Sequence, residues 1–271
     1  MRNFSLFFAA ASICLFACSA SDEVAPTYEP LVCDPADAEH VAFAVQESAA
    51  WSGPYADKYY GRRFLIVDGS CRYFTNYGQF GEVRGGVLTS EDLAAINGEL
   101  LTGAWESIDG EHRRDALISD SPTYSTWRDD LGGSCYANCD SASATLVTMQ
   151  RIAFDWQTRL SERATPLEGA VQLVVSRESG GPYEGETEWA GATNISAALG
   201  EAFYGGVIDI ADPADVAALR ALRASLDSSS LARVQLREGD VSYLAVVLDV
   251  MPHANADGRF LPPFPIMSYG P

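Results

Sequence analysis

The chain has 271 residues, is 47% hydrophobic and 11% aromatic, and carries a formal net charge of −19 at pH 7. That composition speaks against an intrinsically disordered chain and supplies a core for one large or two small domains. So acidic a balance also speaks against a nucleic-acid partner and against direct docking on anionic lipid, since both are polyanions.

Arg2 precedes an apolar run from Phe4 to Phe16. The run is too short to cross a bilayer, which takes about 20 residues, and reads as the core of a secretion signal over residues 1–17. Its end, Leu15-Phe16-Ala17-Cys18, resembles the lipobox of Gram-negative bacterial lipoproteins. Leu15 stands at the aliphatic position, Ala17 precedes the cut and Cys18 would be the lipidated N-terminus. Phe16 departs from the smaller residue usual there. The resemblance implies a lipid anchor on Cys18, a place in the cell envelope and, through Ser19, sorting to the outer membrane. It implies no activity. The alternative is an ordinary signal-peptidase cut after Ala20 and a secreted chain. Residues 18–31 are small, polar and acidic, and are expected to form a flexible tether.

A first α+β half is expected over residues 32–160. Val41 to Gln46 alternates as a strand, and Trp51-Ser52-Gly53-Pro54-Tyr55 reads as a turn. Arg63 to Asp68 is a continuous apolar run suited to a buried strand. Asp68-Gly69 signals a hairpin returning through Cys71 to Phe74. Glu82 to Leu88 is a further strand. Thr89 or Ser90 opens a helix with Glu91 and Asp92 in its first turn and Leu93, Ile96 and Leu100 on its buried face. Thr102 to Asp140, polar and rich in Gly, Ser and Asp, reads as a long loop region, and Thr145 to Ile152 as a strand.

A second half is expected over 165–271. Ala170 to Val175 is a strong strand, Gly180-Gly181-Pro182-Tyr183 a turn, Glu188 to Ile195 a weak strand and Phe203 to Ile210 another. Asp212-Pro213 opens the clearest helix, with Val216, Leu219, Leu222 and Leu226 as its apolar stripe and Arg220 and Arg223 outside. Ala232 to Arg237 alternates, Glu238-Gly239-Asp240 turns, and Val241 to Val250 is the strongest strand. The tail from Gly258 is expected to be extended. The fold class is α+β, with mainly antiparallel sheets and a few short helices. Gly85-Gly86-Val87-Leu88 and Gly205-Gly206-Val207-Ile208, each before a capped helix, suggest two duplicated halves.

Of six cysteines, Cys14 falls in the signal and Cys18 at its end. The remaining Cys33, Cys71, Cys135 and Cys139 read as two disulfides, in any of three connectivities. The Cys135–Cys139 spacing departs from zinc-ligand patterns and no histidine stands nearby, so neither a metal nor a cofactor is expected. His40 and His112 sit among charges and read as solvated. His253, just after the strongest strand, is the best acid–base candidate, with Asp249 or Asp257 as its partner; the plainer reading is a surface turn. No nucleophile elbow, metalloprotease helix or phosphate loop occurs. Trp51, Tyr55, Tyr59, Tyr60, Tyr73, Phe74 and Tyr77 could bind a sugar or a partner protein if exposed, or fill the core if not. The expectation is an exported lipoprotein with a non-enzymatic binding or structural role, its partner an envelope protein or a glycan. The alternative is an extracytoplasmic hydrolase using His253.

Overall fold

The computed structural model describes residues 29–48, 63–76, 81–101, 103–114, 122–137, 139–178, 185–200, 205–226 and 233–253. The signal, Cys18, the Trp51–Tyr55 turn, Tyr59, Tyr60, Tyr77, the Gly180–Tyr183 turn, Asp257 and the tail lie outside these residues.

The strands and helices follow in order: β1 (Val41–Ser48), β2 (Arg63–Asp68), β3 (Arg72–Thr75), β4 (Arg84–Val87), α1 (Ser90–Ile96), β5 (His112–Arg114), β6 (Thr123–Arg128), β7 (Leu131–Tyr136), α2 (Ala144–Ser161), β8 (Thr165–Pro166), β9 (Val171–Glu178), β10 (Thr187–Glu188), α3 (Ile195–Leu199), β11 (Gly205–Ile210), α4 (Pro213–Ala224), β12 (Arg233–Glu238) and β13 (Val241–Asp249). Eight strands form one sheet in the order β5-β7-β6-β1-β2-β3-β4-β8, and five form another in the order β10-β12-β13-β9-β11. Pairing is antiparallel except at β5–β7 and β10–β12. The fold is α+β.

The two sheets pack face to face. Ala44, Phe64, Ile66, Phe74 and Trp127 from the first meet Val174, Val246 and Leu248 from the second. The outer face of the first sheet, through Phe43, Val45, Leu65, Val67 and Tyr73, is covered by Ile96, Leu146, Met149, Ala153, Trp156 and Leu160 of α1 and α2. The outer face of the second, through Val171, Leu173, Val175, Leu236 and Val247, is covered by Ile195, Val216 and Leu219 of α3 and α4. The layers run helix, sheet, sheet, helix. This explains the unbroken apolar runs of β2, β9 and β13, because a central strand buried on both faces has no side to leave polar.

Several expectations are corrected. Thr145 to Ile152 lies in α2, an 18-residue helix that Ser143 caps by accepting from the Leu146 N–H. Its buried positions, among them Leu146, Met149, Ala153, Trp156 and Leu160, recur at helical spacing. The long loop holds a short 3₁₀ turn at Trp105–Ser107 and three strands, β5, β6 and β7. Glu188 to Ile195 is not one strand: β10 ends at Glu188 and α3 begins at Ile195. The structure does not show the duplication. The Gly-Gly-Val strand β11 pairs directly with β9, whereas β4 pairs with β3 and β8 and is separated from β1 by two strands.

Gly205 opens the edge strand β11 with φ +133, and a Cβ there would collide with the Val175 carbonyl of β9. Gly205→Ala should therefore lower stability by about 1–3 kcal/mol, the usual cost of a strained backbone position. Urea denaturation checks this.

Candidate functional site

His253 and Asp249, the described residues among those singled out for chemistry, lie at the seam between the two sheets. β2 ends in Asp68 at a tight turn, where Cys71 N–H donates to the Asp68 carbonyl and Cys71 itself takes φ +63. The Asp68 side chain is fully buried. Its Oδ1 accepts from the Ser70 hydroxyl at 2.7 Å and the Arg72 N–H at 2.9 Å, and its Oδ2 from Arg72 Nε at 2.8 Å. His253 Nε2 approaches the same Oδ2 at 3.4 Å. Burial pushes the Asp68 carboxyl up, but His253, Ser70 and Arg72 together hold it below the usual carboxylate range. Of these contacts the one to His253 is the longest. The imidazole stacks edge-on against Phe74, with ring centroids 5.3 Å apart.

β13 ends in Asp249, 1% exposed. Its Oδ1 accepts from Arg220 Nε at 2.9 Å, and its Oδ2 from Arg223 Nη2 at 2.9 Å and the Val83 N–H at 3.0 Å. Arg223 also donates to the carbonyls of Gly81 and Val247. It is buried, contrary to the expectation that both arginines of α4 face outward: the helix rests on the end of β13, and Arg223 reaches past it to the first sheet.

The expected pairing of His253 with Asp249 is therefore replaced by two separate groups, His253 beside Asp68 and Asp249 with Arg220 and Arg223. Nor is His253 a surface turn residue, since its side chain is 3% exposed. Comparison with protein-family profiles, curated proteins and solved structures finds no match for this chain. The chemistry is accordingly read from the geometry alone. A general acid or base must reach a substrate proton within hydrogen-bond distance. Asp68 and His253 are closed off from solvent, and Asp249 has both oxygens engaged by cations and a backbone donor. The seam is built to join the sheets. Val83 and Gly81, from the first sheet's side, bind Asp249 and Arg223 of the second, and His253 returns to Asp68 of the first.

The other histidines differ. His40, exposed, sits with Nδ1 3.1 Å from Asp37 Oδ2 and Nε2 3.1 Å from Asp129 Oδ1. His112 belongs to β5, its Nδ1 2.8 Å from the Ser134 hydroxyl. Among the described residues no cluster of His, Cys, Asp or Glu is arranged to hold a metal. No helix among them is long and apolar enough to cross a membrane. Of the aromatic candidates that are described, Tyr73 and Phe74 are core residues, 2% and 4% exposed.

The cysteines form two disulfides, Cys33–Cys71 and Cys135–Cys139, each with Cα atoms 5.2 Å apart. This is one of the three connectivities that parity allowed. By the chain-entropy model the first, closing 38 residues, is worth about 4 kcal/mol, and the second, closing only four, about 2 kcal/mol. The first therefore matters more to stability. It fastens the N-terminal segment onto the β2–β3 turn.

Proposed function

We propose that this chain is an exported protein, anchored in the cell envelope through lipid on Cys18, with a non-enzymatic binding or structural role toward an envelope protein or a glycan. The observation that carries the reading is the pairing of all four cysteines downstream of Cys18 in two disulfides. Such bonds persist in oxidising compartments and are rare in the cytosol. The signal-like residues 1–17 and the lipobox-like Leu15-Phe16-Ala17-Cys18 agree with it. The acidic balance suits a domain held off a membrane by its tether rather than one lying on anionic lipid. Burial of His253 and engagement of Asp249 support a binding or structural role over hydrolysis.

Fractionation of cells expressing the chain tests the anchor. The protein should sediment with membranes and its mature N-terminal peptide should carry acyl chains on Cys18. Cys18→Ser should move it to the soluble fraction, because stable anchoring requires the lipid. A wild-type chain beginning at an unmodified Ser21 would refute the anchor and leave a secreted protein.

A further inference from the structure

We propose that Cys33 Sγ is a thiol-exchange site, the point at which an external dithiol opens the fold's N-terminal strap. Cys33 lies in the exposed segment 32–37, whereas Cys71, Cys135 and Cys139 are 0%, 1% and 8% exposed. Exchange requires a thiolate to reach a disulfide sulfur, so access ranks the bonds: Cys33–Cys71 can be attacked from its Cys33 side, and Cys135–Cys139 is shielded at both ends. Backbone strain does not separate the bonds. Cys71 takes φ 63 in the first, and Ala137 at φ 63 and Cys139 at φ 60 lie in the ring closed by the second. Access is what orders their reduction.

The step balances. One thiolate of the dithiol bonds to Cys33 Sγ, the sulfur–sulfur bond breaks, and its electron pair leaves on Cys71, which takes a proton. The reagent's second thiol, as thiolate, then attacks its own sulfur in the mixed disulfide. It leaves as the oxidised cyclic disulfide and frees Cys33. Two electrons and two protons pass to the protein.

The consequence lies in what remains holding the strap. Leu31 exchanges two hydrogen bonds with the Asn97 side chain, at 2.8 and 3.0 Å. Asp34 N–H donates to the Gly69 carbonyl at 2.9 Å, and Arg72 Nη2 to the Ala38 carbonyl at 3.2 Å. The 3₁₀ turn Pro35–Asp37 buries no side chain. With the covalent tie gone, the strap rests on these polar contacts and on half-buried Leu31 against the core, few enough ties for the segment to open locally without global unfolding. In the anchored reading above, this strap is where the tether meets the folded domain. The exchange chemistry itself does not depend on that reading.

The test uses the purified mature protein under native conditions. It is treated with limiting dithiothreitol, quenched with an alkylating agent, unfolded, and mapped peptide by peptide. Cys33 and Cys71 should become free at least roughly tenfold faster than Cys135 and Cys139, as access requires. After the first bond opens, amide hydrogen exchange should rise over residues 31–40 and stay unchanged in α2. Equal rates, or Cys135–Cys139 opening first, would overturn the proposal. So would an exchange profile over 31–40 that reduction leaves unmoved.

Discussion

Replacing Asp249 with alanine should cost the fold about 3–5 kcal/mol, a large share of the roughly 5–15 kcal/mol that holds a typical domain together. The carboxylate is the meeting point of α4, β13 and the chain entering β4. Alanine would strand two guanidiniums and one backbone N–H together. Arg223, 4% exposed, keeps its carbonyl partners at Gly81 and Val247 but loses its counter-charge. Leaving a buried charge uncompensated costs more than the pair itself gains. Arg220→Ala should cost less, because the Arg220 side chain is 27% exposed and water replaces part of what it gives. Asp249→Asn should fall between the two, since it keeps a hydrogen-bond acceptor and loses the charge. Urea midpoints of the three variants give the order directly. A loss below about 1 kcal/mol for Asp249→Ala, the scale of a surface pair, would show that the seam does not hold the sheets together.

How far this fold was legible depended on whether the signal was local. β2, β9 and β13 announce themselves because burial on both faces leaves unbroken apolar runs. α4 does so because Asp212 caps it, accepting from the Ala214 and Asp215 N–H groups, ahead of Pro213. α2 is disguised because Thr145, Val147, Thr148 and Ile152 are β-branched and suggest a strand over a short window. Its stripe emerges only when followed through to Trp156 and Leu160. The hairpin of β6 and β7 was hidden by Gly132, Gly133 and the acidic turn at Asp129. Those strands are fixed by pairing with β1 rather than by their own composition. The candidate site was legible one residue at a time. Asp249 and His253 stood out at a strand end, but their partners are tertiary. Arg223 is 26 residues from Asp249, Val83 is 166, and Asp68, read only as a hairpin residue, comes from the other sheet. No spacing rule connects such positions. Cysteine parity showed that two bonds form, and the packing of the N-terminal strap on the β2–β3 turn selected which.

Acid should destabilise the protein through carboxylates that the fold keeps ionised. Asp68, Asp92, Glu111, Asp215 and Glu238 are each pushed up by burial, yet hydrogen bonds outweigh this and hold all five below the usual carboxylate range. A carboxyl held low in the folded state favours folding fully above its unfolded value, about 3.9 for Asp and 4.3 for Glu. That contribution is lost as pH falls through the lower, folded value, where both states bind the proton. Stability should therefore hold from neutral pH to about pH 5 and decline below about pH 4. Asp215 gives the cleanest test. It is 3% exposed and accepts from the Ala192 N–H at 2.9 Å and the Thr193 N–H at 2.8 Å, pinning the loop before α3 to the start of α4. Asp215→Asn offers one carbonyl oxygen where two carboxylate oxygens stood, and turns an amide toward one of the donors. At pH 7 the loss should be about 1.5–3 kcal/mol, the scale of hydrogen bonds to a charged group. As pH falls below about 4 the unfolded carboxyl binds its proton first and the folded one, held lower, only later, so the wild type's advantage is lost progressively and the gap between wild type and variant should narrow. Urea midpoints at pH 7, 5 and 3 measure that gap. If it stays constant across the three, the contribution of Asp215 is packing rather than charge, and the acid limb must be assigned to the other four carboxylates.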